Sequence, residues 1–189
     1  MYIETIKIEN GIVRNLEFHN KRVINTIGKT INLTPDIPEE HKKGVVKYRV
    51  VYDINGIKEI SFSPYTIKKI RTLKIVENND IDYSKKYENR SSLNSLLEKK
   101  ETCDDIIIVK DGFVTDTSYC NIIFKNEKGL FTPSTPLLCG TKRAFLLKEG
   151  IITEKDIRSE EIKEYQHIIL INAMIELTDN ITIDKNNIF

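Results

Sequence analysis

Ile6 and Ile8 alternate with Lys7 and Glu9 near the N-terminus. A period of two is the mark of a half-buried strand. Asn10-Gly11 supplies a tight-turn signal, and Ile12-Val13 to Leu16 returns, so the chain is predicted to open with a hairpin. His19 to Ile27 predicts a short helix, stopped by Gly28. A loop follows at Thr34-Pro35-Asp36-Ile37-Pro38. Val45 to Tyr52, rich in β-branched and aromatic residues, then turns at Asn55-Gly56 and returns through Ile57 to Phe62 as a second hairpin. Ile67 to Val76 predicts one more strand.

The second half reads differently. Leu93, Leu96 and Leu97 share one face of a helix predicted over Ser91 to Lys100. Ile106 to Val109 predicts a buried strand, turned by Asp111-Gly112 into Phe113-Val114-Thr115. Asn121 to Phe124 predicts a further strand, Lys142 to Glu149 a helix stopped by Gly150, and Glu160 to Tyr165 a short acidic helix. Ile168 to Ile171 is an apolar strand that Ile181-Thr182-Ile183 is expected to pair. Strand-rich halves with interspersed helices imply an α+β (mixed α/β) fold. Glu77-Asn78-Asn79-Asp80 is the most polar stretch in the middle. It divides the chain into an expected small N-terminal lobe, 1–80, and a C-terminal lobe, 81–189.

Composition narrows the function classes. The 189 residues suffice for one ordinary domain or two small lobes. A formal charge of +1, with both signs interspersed, gives no broad field favouring nucleic acid or a membrane surface. Cys103, Cys120 and Cys139 have neither disulfide nor zinc spacing, which points to a reducing compartment and no metal. The start resembles no signal peptide, and the aliphatic runs are too short to cross a bilayer. A soluble, cytoplasmic protein is the expectation. His41 and His167 have no partners at metal or triad spacing. A triad drawn from Ser118, His167 and Asp116 would lack the nucleophile elbow. No glycine-rich nucleotide loop is present.

Three clusters carry chemistry. They are Tyr83-Ser84-Lys85-Lys86-Tyr87-Glu88-Asn89-Arg90, then Asp111 to Ile122, and then Thr132-Pro133 followed by Leu137-Leu138-Cys139-Gly140-Thr141-Lys142-Arg143. In this order, they resemble the class IV aminotransferases, the fold-type-IV enzymes that use pyridoxal phosphate (PLP). That family includes branched-chain and D-amino acid aminotransferases and 4-amino-4-deoxychorismate lyases. The resemblance covers roughly residues 3–28 and 83–183. It implies a D-amino acid aminotransferase-like fold of two lobes with the active site between them.

The resemblance also implies roles. Lys86 stands where the family's Lys-x-x-Asn-Arg pattern has its Schiff-base lysine, with Lys85 as the rival. Adjacent side chains on an extended segment point to opposite sides. Asp116 stands where the family has Glu facing the pyridine nitrogen, with Asn121 five residues on. Arg22, in His19-Asn20-Lys21-Arg22, matches a phosphate-gripping arginine. Gly140-Thr141-Lys142 resembles Gly-Ile-Thr at a phosphate-binding helix start, although Lys142 stands where the family often has Thr. Ser118 would add a hydroxyl. Thr5 and Arg49 are candidates on the substrate side, Arg49 either for a substrate carboxylate or simply paired with an acid such as Asp53. Asn172-Ala173 resembles a late turn of the lyase branch, whose backbone amides would hold a carboxylate. Typical relatives have a longer first lobe, so a shortened one is expected. A small amine or amino acid substrate and a homodimer follow. The leading expectation is an aminodeoxychorismate lyase serving folate synthesis. The alternatives are an amino acid aminotransferase and a non-catalytic PLP-binding or structural homodimer.

Overall fold

The structure, a computed structural model, describes all residues from Met1 to Phe189. It consists of two units. The first comprises Met1–Ile67 and Lys85–Asn89, the second Lys68–Ser84 and Arg90–Phe189. The polar stretch at residues 77–80 therefore lies inside the second unit.

The first unit is an antiparallel sheet covered on one face by a helix. Its strands are β1 (Tyr2–Glu9), β2 (Ile12–Val13), β3 (Val45–Asp53) and β4 (Gly56–Pro64), in the order β2-β1-β3-β4. The predicted Asn10-Gly11 turn closes β1 onto β2, with φ of 51° and 78° at its two residues. These left-handed values are what a type I′ turn requires. β1 pairs with β3 along its whole length, from Tyr2 opposite Tyr52 to Glu9 opposite Val45. Helix α1 (Leu16–Ile27) begins three residues before the expected start and ends at Gly28 as predicted. Its Val23 packs with Ile6, Ile8, Val46, Tyr48, Val50 and Tyr52, the even-numbered positions of β1 and β3. That alternation is the predicted amphipathic pattern.

The second unit holds two sheets. β5 (Leu73–Glu77), β6 (Asp105–Lys110) and β7 (Phe113–Thr117) form one, with β5 parallel and β7 antiparallel to β6. β8 (Asn121–Asn126), β9 (Gly129–Pro133), β10 (Thr153–Lys155), β11 (His167–Ile171) and β12 (Thr182–Asp184) form the other, in the order β10-β9-β8-β11-β12. The strand expected from Ile67 begins only at Leu73; the lysines at 68 and 69 are exposed. Helix α2 (Ser91–Leu97) buries Leu93 and Leu96, then tightens into a 3-10 turn. Helix α3 (Thr141–Lys148) places Leu146 against Ile123, Ile152, Ile169 and Ile171. No helix is long and apolar enough to cross a membrane.

Candidate active site

In the first unit, β1 places Glu4 on the apolar face shared by Ile6 and Ile8. Glu4 is fully buried, yet it is not isolated. Its Oε1 accepts from Arg22 Nε at 2.8 Å, and its Oε2 from Arg22 Nη2 at 2.5 Å. His19 Nδ1 also meets Oε2, at 2.5 Å. His19 and Arg22 lie three apart on α1, so one helical face delivers both. Burial pushes the Glu4 pKa up, but the Arg22 charge and the hydrogen bonds from His19 and Arg22 outweigh it, leaving it at about 2. His19 is driven the other way. Burial lowers its pKa, the bond to Glu4 opposes this, and the charges of Arg22 and Lys86 lower it further. A neutral His19 beside an ionised Glu4 carries its proton on Nδ1 and donates it. Tyr52, buried nearby, is pushed up to about 12 by burial and by the Glu4 charge.

The Lys86 segment joins the same sheet. Ile3 N–H donates to Lys86 O at 2.9 Å, and Glu88 N–H to Met1 O at 3.1 Å, around a bridge between Tyr2 and Tyr87. The two lysines part as an extended segment demands. Lys85 Nζ donates to Thr26 O at 3.1 Å and lies over the Tyr2 ring. Lys86 is half-buried, and its charge is felt at His19. Arg49 donates to Glu88 at 3.0 Å and to Glu59 at 3.3 Å. Its partners are thus these two glutamates, whereas Asp53 pairs with Lys58. Thr5 is its cross-strand partner.

In the second unit, Asp116 is the second-last residue of β7, before the turn into β8, and is almost wholly buried. Its Oδ1 accepts from Asn121 Nδ2 at 2.7 Å and its Oδ2 from the Leu138 N–H at 2.9 Å. Asn121 Nδ2 also reaches Leu138 O at 2.9 Å, locking the carboxyl and the loop together. Gly140 fits tightly here, because a Cβ on it would stand 1.8 Å from Asn121 Oδ1. Burial pushes the Asp116 pKa up, and its hydrogen bonds and Arg143 recover only part of this, leaving it at about 6.

Other predicted residues lie around this core of the unit. Thr141 and Lys142 occupy the first turn of α3, both buried, and Lys142 Nζ bonds to Glu176. Ser118 is buried, and its carbonyl accepts from Arg90 Nη2 at 2.7 Å. Its hydroxyl bonds toward Asp105, whose pKa is raised, chiefly by burial. Asn172 builds its own turn around Ala173. Its Oδ1 accepts from the N–H groups of Met174 at 2.8 Å and Ile175 at 3.0 Å. Those two amides are therefore occupied within the turn. Asn172 Nδ2 reaches Cys120 Sγ at 3.2 Å.

Sequence reasoning missed Glu4, the Leu138 backbone and Glu176. Glu4 had a signal, an acid in step with Ile6 and Ile8. The Leu138 donor had none, since every residue but proline carries an N–H.

Comparison with known proteins yields a consistent picture. Residues 57–179 match the family model described as amino-transferase class IV. An uncharacterised protein of Haemophilus influenzae is 38% identical over 181 residues, covering 90% of this chain and 96% of its own. The crystal structure of a candidate 4-amino-4-deoxychorismate lyase from Haemophilus somnus is 36% identical with a TM-score of 0.81, covering 93% of this chain and 96% of that one. A Mesorhizobium loti structure, named as a candidate amino-acid aminotransferase, shares the fold over 100% of this chain and 99% of its own at 18% identity and a TM-score of 0.80. The PLP-bound form of a hypothetical aminotransferase from Mycobacterium tuberculosis shares the fold at 16% identity and a TM-score of 0.73, but only 78% of that longer chain is covered. The short form of the fold is thus shared with the first two structures and not with the third.

Proposed function

The chain belongs to the class IV amino-transferase family of PLP-dependent enzymes, and from that premise we propose that it is a lyase releasing pyruvate from 4-amino-4-deoxychorismate. The observation that carries the PLP reading is Asp116, a buried carboxyl held by Asn121 and the Leu138 N–H, suited to face a ring nitrogen. The choice of lyase leans on the 36% identity to the Haemophilus somnus protein.

PLP, when bound, supplies an electron sink for the carbon that bears the substrate's amine. Lys86 would hold the cofactor covalently and, once released, would take the proton from that carbon with its neutral amine. Asp116 would keep the ring nitrogen protonated. Asn121 fixes the direction of that carboxyl, and Gly140 lets the Leu138 loop approach it. Arg22 would grip phosphate with a guanidinium that Glu4 has already oriented. Amides at a helix start, such as the first turn of α3, are likewise of the kind that binds phosphate. Arg49 would meet a substrate carboxylate only by exchanging Glu59 or Glu88. A reducing cytoplasm fits the free cysteines Cys103, Cys120 and Cys139, and the homodimer is carried over from the family resemblance alone.

Incubation of the PLP-loaded protein with aminodeoxychorismate tests the reaction. Release of pyruvate and p-aminobenzoate without any 2-oxo acid is expected. Turnover that requires a 2-oxo acid acceptor would assign an aminotransferase instead, and a colourless protein that takes up no PLP would leave a structural role.

A further inference from the structure

A cavity of about 340 Å³ lies within the second unit, and none of the groups assigned above lines it. Its volume is within the range of small-molecule sites. The floor is apolar. Ile81 and Tyr83 are buried there, with Phe113, Pro136 and Leu137 partly buried beside them. Phe113 and Thr115 both line it, being alternate residues of β7. Asp116 follows Thr115 and so points to the other face of the strand. The cavity therefore backs onto the wall that carries the Asp116 carboxyl. The rim is charged in both senses. Asp82 and Asp111 are exposed at it, and Lys110 lies between the apolar floor and solvent. Lys110 Nζ donates to Ile81 O at 2.9 Å. An ammonium has three donors, so it can serve a further acceptor. Asp82 is held below the usual carboxylate range, chiefly by hydrogen bonds from Ser84 and further by the Lys110 charge. The Asp111 backbone is pinned as well, its N–H donating to Asn79 Oδ1 at 2.8 Å. The charged groups are thus carried on anchored backbone, which lowers the ordering cost of binding.

We propose that this cavity is a second small-molecule site, and that it takes a free α-amino acid with an apolar side chain. Asp82 and Asp111 receive the ammonium, Lys110 the carboxylate, and the floor of Tyr83, Phe113 and Leu137 the side chain. The mixed rim selects a zwitterion. A simple anion would face two carboxylates, and a simple amine would leave Lys110 unanswered. The site also has a route to the chemistry. Thr135 Oγ1 donates to Val114 O at 3.3 Å, and the Leu138 N–H holds Asp116. An occupant resting on Pro136 and Leu137 braces the loop between those two anchors.

The test titrates L-phenylalanine into the isotope-labelled full chain, without PLP, and follows the backbone amides by nuclear magnetic resonance. Saturable shifts are expected at residues 81–84 and 110–113. Phenethylamine lacks the carboxylate and hydrocinnamate lacks the ammonium, so each should bind several-fold more weakly. Lys110→Met should weaken phenylalanine by roughly two- to five-fold, the range of partly exposed ion pairs, and leave phenethylamine unchanged. A circular dichroism melt confirms that the variant folds, and the ligand series on the wild type needs no variant. Amides at 81–84 and 110–113 that stay in place up to the solubility of phenylalanine would overturn the proposal. So would analogues that bind as tightly as phenylalanine, or an equal loss of phenylalanine and phenethylamine in Lys110→Met. PLP uptake is read separately from the absorbance of the loaded protein, so the cofactor reading stands or falls on its own.

Discussion

Glu4 and Asp116 are both buried carboxyl groups on strands, yet their pKa values sit on opposite sides of normal, at about 2 and about 6. Burial pushes both upward. The difference lies in their partners. Glu4 meets a guanidinium through two hydrogen bonds, with a histidine N–H on the same carboxylate. Asp116 meets an amide side chain and a backbone N–H, and the cation that acts on it, Arg143, is bonded to Glu154 and Pro133 O. Neutral donors orient a carboxyl without fixing its charge, whereas a cation does both. Glu4 is therefore a permanent anion that organises Arg22. Asp116 remains able to change charge when a positive ring nitrogen arrives, as its proposed role demands.

The comparison breaks most visibly at Glu4. Glu4→Gln strands the Arg22 charge in a buried site and should lower stability by about 3–5 kcal/mol, read from urea unfolding at pH 7. A loss below about 1 kcal/mol would mean that the pair is solvated.

Opposite pKa shifts give opposite pH slopes. Glu4 titrates lower in the fold than when unfolded, so its contribution is complete above pH 4.5 and fades as pH falls toward 2. Asp116 titrates higher in the fold, so its stability term is complete below pH 3.8 and is lost as pH rises to about 6. A shift of this size corresponds to about 3 kcal/mol. In the apoprotein, Asp116→Asn should remove the downward slope between pH 4 and 6, measured by unfolding at half-unit pH steps. Persistence of the slope would place its origin elsewhere, Asp105 being the next buried acid with a raised pKa.

A finer probe is Gly140→Ala. The new methyl would collide with Asn121 Oδ1, and such overpacking costs about 1–3 kcal/mol. Displacing Asn121 also removes one donor from Asp116, so carbon-detected titration should show Asp116 moving still higher. The smallest effect belongs to Arg49→Ala. Its pairs with Glu59 and Glu88 are partly exposed, and their loss should cost no more than about 1 kcal/mol.

The two regions also differ in how far the sequence announced them. Turn dipeptides at 10–11, 55–56 and 111–112 announced the hairpins directly, because the positive φ at both residues of 10–11 and 111–112, and at Gly56, needs particular residues. Strands β9 and β10 escaped prediction. They are short and too irregular to alternate, and β10 is exposed throughout. The Lys86, Asp116 and Gly140 patterns were legible as patterns. Their supports were not, since Lys142 finds Glu176 34 residues away and Asp116 depends on a backbone donor. The turn at Asn172-Ala173 illustrates the same limit, because the asparagine side chain itself takes up the following amides of Met174 and Ile175. Sequence shows which groups a chain owns, whereas pairing across long separations decides which of them remain available.

One experiment addresses the chemistry most directly: adding PLP to the apoprotein, reducing with borohydride, and mapping the modified peptide by mass spectrometry. A single pyridoxyl group on Lys86 is expected, with Lys85 unmodified. A label on Lys85, or none on either lysine, would contradict it.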